Sequence, residues 1–194
     1  MQFLYKLPGY MLLLFGGFCL SWGGFIVRSF ETSNAWEILL LRSFFFFLGV
    51  TTFLIITYKN KTINIVKKAG LIGFLGGFVM SFSFIAFVFA MMSTSVANVV
   101  FIISTQTMFL AIFGFFYLKE KVSLIGFISI ILAMSGITIM IGDSMSSGTF
   151  YGNLIALTIP ISFSILVMII RKHSSLDLVP AIWYASIFST IYYK

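Results

Sequence analysis

The sequence predicts an all-α polytopic transmembrane helix bundle, and three observations predict it. Apolar runs of about twenty residues, the length that spans a ~30 Å hydrocarbon core, follow one another along the chain. The 12 Lys and Arg fall almost entirely in the short breaks between those runs. Composition agrees: 60% of residues are hydrophobic and 9% charged, with a mean hydropathy of +1.12, far from the soluble globular range.

The first run, Gly9 to Val27, follows Lys6, but it is too long for a signal peptide and lacks a small-residue cleavage site. It reads as a retained helix. The second, Ala35 to Tyr58, is bracketed by Trp36 and Tyr58, as interfacial aromatics bracket a span. The third, Ala69 to Met92, carries Gly73, Gly77 and Ser81 on one helical face, where small residues allow helices to approach closely in lipid. The fourth is Val96 to Tyr117. The fifth, Ser123 to Ile141, repeats the small-residue face with Gly126, Ser129, Ala133 and Gly136, and the sixth, Tyr151 to Ile170, does so with Gly152, Ala156, Pro160 and Ser164. Pro160 is expected to kink its helix. A seventh run begins near Val179 and stops at Lys194; about fifteen residues rise only ~22 Å, so this span reads as cut short.

Alternate connections differ sharply in charge. With the N-terminus inside, Lys6, Lys59, Lys61, Lys67, Lys68, Lys119, Lys121, Arg171 and Lys172 lie on the cytoplasmic side and only Arg28 outside. That nine-to-one count is a positive-inside signal. Trp36 and Tyr151 fit the outer aromatic belt; Tyr10, Tyr58 and Tyr117 fit the inner one. The net charge of +7 and pI of 9.6 therefore reflect topology, since the basic residues form no stripe for nucleic acid. A single Cys, Cys19, excludes an intrachain disulfide.

Sliding the chain by 143 positions pairs Gly9 with Gly152, Ser21 with Ser164, Arg28 with Arg171, Ser43 with Ser186 and Phe45 with Phe188. Five spans, an odd number, separate the copies, so the second enters from the opposite face. Inverted repeats of this kind build many secondary transporters and place the substrate between the halves near the midplane. A complete chain is expected to hold about ten spans, with residues 1–142 as the first five-helix unit and 149–194 as the start of the second, inverted one.

The order and spacing of several short motifs resemble the EamA type of the drug/metabolite transporter superfamily over essentially the whole chain. Ser21-Trp22-Gly23-Gly24 followed by Arg28 is similar to the family's Trp-Gly opening, and Leu41-Arg42-Ser43 to its second-helix arginine. Ala97-Asn98 opens span four, and Leu118-Lys119-Glu120-Lys121 resembles the Leu-Gly-Glu-Lys turn, with Lys119 in place of the Gly. Thr107 stands where many members have a mid-helix Pro. Gly152, Ala156 and the Arg171-Lys172 exit look like the opening of the second unit. The resemblance implies a ten-helix inverted-repeat fold and transport of small metabolites.

Few residues in the spans carry chemistry. Arg42 lies seven residues into span two, ~10 Å deep; an intramembrane guanidinium either faces a cavity, where it can hold a carboxylate or phosphate, or snorkels to backbone carbonyls. Glu37, five residues earlier and about 140° around the helix, is the one acid in the spans, interfacial or a proton site. Trp22 sits away from either belt and needs an acceptor for its indole N–H, in a cavity or on a neighbouring helix. Asn98 and Gln106 can read a substrate's polar groups or bond between helices. His173 is the only histidine and cannot build a metal site alone. No cofactor is expected.

A secondary transporter of a small polar or amphipathic metabolite, in the cell (inner or plasma) membrane, is the favoured reading. A membrane enzyme acting on a lipid or isoprenoid needs acids, His or metal ligands clustered at one depth, which the sequence lacks; a channel or scaffold does not need an inverted repeat. No phosphate-binding Gly-Lys-Ser loop supports ATP-driven transport. The expected partners are the metabolite, the lipid bilayer and, as an option, a second copy in a homodimer, but not nucleic acid.

Overall fold

The computed structural model describes residues 9–29, 34–173, 177 and 179–192. Lys6, Lys194 and the side chains of Cys19, Ser21, Arg28 and Asp143 lie outside the described set. The described residues form helices α1 (Gly9–Ser29), α2 (Ala35–Tyr58), α3 (Thr62–Ser93), α4 (Val96–Ser104), α5 (Gln106–Leu118), α6 (Leu124–Ser147), α7 (Phe150–Lys172) and α8 (Val179–Ile191), with a 3₁₀ turn at Lys59–Lys61. Five continuous apolar helical stretches are long enough to cross a bilayer, and one of them, Ala35–Ser93, folds back on itself at Lys59. That stretch supplies two crossings, because Trp36 meets Phe89 at its far end while the Thr62 hydroxyl donates to the Leu54 carbonyl near the turn. Helices are the expected solution, since lipid offers backbone groups no partners.

Three of the expected runs differ in the structure, and the fifth simply extends as α6 past Ile141 to Ser147. α3 starts seven residues before Ala69 and bends at Gly70, whose φ of 48° and ψ of −143° favour a residue without Cβ. The preceding turn, 62–69, holds Lys67 and Lys68 and is too polar to register as span. The fourth crossing is two helices, not one. It breaks at Thr105, where the side-chain hydroxyl and the backbone N–H both donate to the Ile102 carbonyl, at 2.6 and 3.1 Å. The break comes without a Pro, at a residue whose backbone sits at φ −76° and ψ 0°.

α3 is the centre of the bundle, with α7 and α8 packed along it. Its small residues Gly73, Gly77 and Ser81 are buried as the sequence expects. A Cβ on Gly77 would lie 2.4 Å from the Tyr184 Cβ and 2.7 Å from the Ala181 carbonyl oxygen, so only hydrogen fits between α3 and α8. Along α7, Gly152, Ala156, Pro160 and Ser164 are all buried too. Gly152 abuts the Ser93 backbone, and the Ser83 hydroxyl donates to the Ile159 carbonyl over 2.9 Å. The third small-residue face, on α6, is not buried: Ser129 is exposed, and among this helix's described apolar residues Ile137 alone is fully buried.

α2 and α8 cross antiparallel. Ser189 donates to Ser43, the Trp183 indole donates to the Thr51 hydroxyl, and Phe47 lies against Trp183. Ser43 and Ser186, which the 143-residue shift pairs, are both fully buried at this crossing.

Polar groups close both ends of the bundle. At the end holding the basic turns, Arg171 Nη1 donates to both Glu120 carboxylate oxygens at 2.9 and 3.0 Å, Lys172 reaches the Tyr117 hydroxyl, and Tyr58 donates to Asp177. Lys119, in the position of the resembling family's turn Gly, is left-handed at φ 55° and ψ 31° and caps α5 by donating to the Gly114 carbonyl. At the opposite end, Thr94 donates to the Asn153 side-chain oxygen over 2.7 Å.

Candidate functional site

A cavity of about 670 Å³ opens between α1 and α2. α1 contributes Gly23, Ile26 and Val27, residues that share one side of the helix; α2 contributes Glu37, Leu41, Arg42, Phe45, Phe46 and Gly49. The volume lies within the range of small-molecule sites. The lining is apolar apart from two side chains, Arg42 and Glu37.

Arg42 is held by aromatic faces from α3. Its guanidinium carbon lies 4.0 Å from the centroid of Phe87 and 5.7 Å from that of Phe84. Gly23 of α1 lies beside the same Phe87 ring, which a Cβ there would meet at an ordinary contact of 3.8 Å. Among the described residues no carboxylate pairs with Arg42, and its buried Nη1 has no hydrogen-bond acceptor. Ring faces attract a cation but satisfy none of its N–H groups.

Glu37 stands in the first turn of α2, three residues after Asn34, whose side chain accepts from the Trp36 N–H. An acid there complements the positive end of the helix. It is exposed and borders the cavity one and a half turns from Arg42, so both charges face the same space without bonding to each other.

The other predicted residues fall elsewhere. Trp22 is 52% exposed and stands edge-on to Phe18 and Phe25 of its own helix, outside the cavity lining. Asn98 donates from its side-chain amide to the Thr94 hydroxyl at 3.2 Å and to the Asn153 side-chain oxygen at 3.3 Å, tying α4 to α7. Gln106 begins α5 just past the Thr105 break and is half-buried. The structure therefore brings Arg42 and Glu37 together and separates them from Trp22, Asn98 and Gln106. Phe87 and Phe84 were missed as the partners of Arg42; in a sequence with 25 Phe, nothing local distinguishes the two that face a cation.

A second cavity of about 310 Å³ lies between α5 and α7, lined by Phe113, Phe116, Tyr117, Ile165, Met168 and Ile169. It offers no charge with which to orient a ligand. His173 caps α7, its ring nitrogen 3.0 Å from the Ile169 carbonyl oxygen.

Residues 7–142 match the family described as the EamA-like transporter family. Comparison with curated proteins and with solved structures gave no match.

Proposed function

Since the chain belongs to the EamA-like transporter family, we propose that it moves a small polar or amphipathic metabolite across the cell membrane as a secondary transporter working by alternating access. Membership makes it a membrane transporter of the drug/metabolite type; the cargo and the mechanism are our reading. The observation that carries it is the Arg42 cavity beside the antiparallel α2–α8 crossing. Two helices related by the 143-residue shift meet there through the Ser43–Ser189 and Thr51–Trp183 bonds, the relation that lets two inverted units exchange shapes around a fixed site. Residues 1–142 are then the first unit and 149–194 belong to a second, inverted one, with the N-terminus inside, as the nine-to-one charge count favours.

The cavity favours carriage over catalysis. It presents one guanidinium and one carboxylate about 7.5 Å apart along the axis, with no nucleophile–base pair between them. Uptake into inverted vesicles from cells expressing the chain, screened with pooled labelled metabolites, tests the proposal. Saturable, protein-dependent accumulation that falls severalfold in Arg42→Lys at equal protein level supports it. Conversion of a metabolite by the purified protein, without movement, would replace the carrier with an enzyme.

A further inference from the structure

We propose that the Arg42 cavity receives a small amphipathic monocarboxylate; this rests on the transporter reading of the same site and names its class of cargo. A cation held within the membrane needs a compensating charge, and among the described residues the protein supplies none to Arg42. Phe87 attracts the guanidinium without accepting from it, so Nη1 keeps a donor for an oxyanion. The planar fork fits a carboxylate through two parallel hydrogen bonds.

The same lining limits the charge of the guest. A phosphate brings more oxygens than one Arg satisfies, and a second negative charge would face Glu37 in a medium of low dielectric. The rest of the wall sets the body of the guest: Ile26, Leu41, Phe45 and Phe46 offer apolar contact, and Gly49 leaves space, since a Cβ there would meet nothing within 4 Å. One anionic head on an apolar body fits both halves of the site.

The test compares 4-phenylbutyrate with its neutral alcohol, its amine and its phosphate monoester, by equilibrium dialysis against the chain in nanodiscs, with empty nanodiscs subtracted. The carboxylate is expected to bind saturably and at least about tenfold tighter than the other three, a difference set by one charge-assisted pair. Arg42→Gln should remove that preference and Arg42→Lys should weaken it, while Glu37→Gln should leave it intact or strengthen it. Gly49→Leu keeps the cation and fills the cavity, so it should abolish binding; if Arg42→Gln does not fold, this variant decides. Equal binding of the alcohol or amine, tighter binding of the phosphate, or full binding by folded Arg42→Gln or Gly49→Leu overturns the proposal. Because the readout is binding, carboxylate selectivity without any transport keeps this inference and sinks the carrier. Transport of a cargo lacking a carboxylate does the reverse.

Discussion

The hydroxyl of Ser189 donates to the hydroxyl of Ser43 across 2.8 Å, and both residues are buried where α2 crosses α8. The Ser189 oxygen also lies 3.1 Å from the Ser186 carbonyl, and with a single proton the hydroxyl shares its donation between its own helix and its neighbour. Serine is small enough to let the backbones meet, and the bond adds direction to the contact.

Replacing either serine by Ala should therefore lower stability only slightly, by about 0.6 kcal/mol, the typical worth of such a bond in a membrane. Ser43→Leu should cost more, ~1–3 kcal/mol, because three carbons must take the place of one oxygen in a closed seam. Steric-trap unfolding in bicelles measures both, and a Leu variant as stable as the Ala variant would mean that the helices do not meet here.

Gly77→Ala should destabilise by ~1–3 kcal/mol, since its Cβ would fall 2.4 Å from Tyr184 Cβ and against backbone that cannot yield. Gly142→Ala, with nothing within 4 Å, should be neutral or gain up to about 1 kcal/mol from helix propensity. The contrast between them is the measurement, by the same unfolding assay.

Lys119→Gly should raise stability by about 1 kcal/mol. The left-handed turn crowds a Cβ against the following carbonyl, and glycine relieves that strain. A loss of stability on unfolding would show that the lysine side chain contributes more than its backbone costs.

Topology has its own test. With the N-terminus inside, a Cys at Asn64 on a Cys19→Ala background should resist an impermeant maleimide in intact cells and react after permeabilisation. Labelling of intact cells would reverse the orientation.

Hydropathy made the helices legible because lipid forces each crossing to satisfy its own backbone, and α2 has the bounds its apolar run predicts. It also located Arg42, a charge where charges are expensive. It did not give the rotation of each helix. A helix apolar on every side carries no phase signal, so Trp22 could not be told from Gly23 as the residue facing the cavity. The small-residue rule succeeded on α3 and α7, where a partner helix is present, and failed on α6, where none covers Ser129. The Thr105 break escaped notice for a different reason, since no Pro or Gly marks it.

The bend at Gly70 separates two jobs that a straight helix would mix. Residues 71–93 measure ~34 Å and must match the hydrocarbon thickness, whereas 62–69 carry ammonium groups that belong among headgroups. With a hinge between them, the long segment can tilt as bilayers thicken or thin, and the lysines need not follow it into the oil. One achiral residue thus decouples how the protein fits its membrane from how it is anchored to the surface.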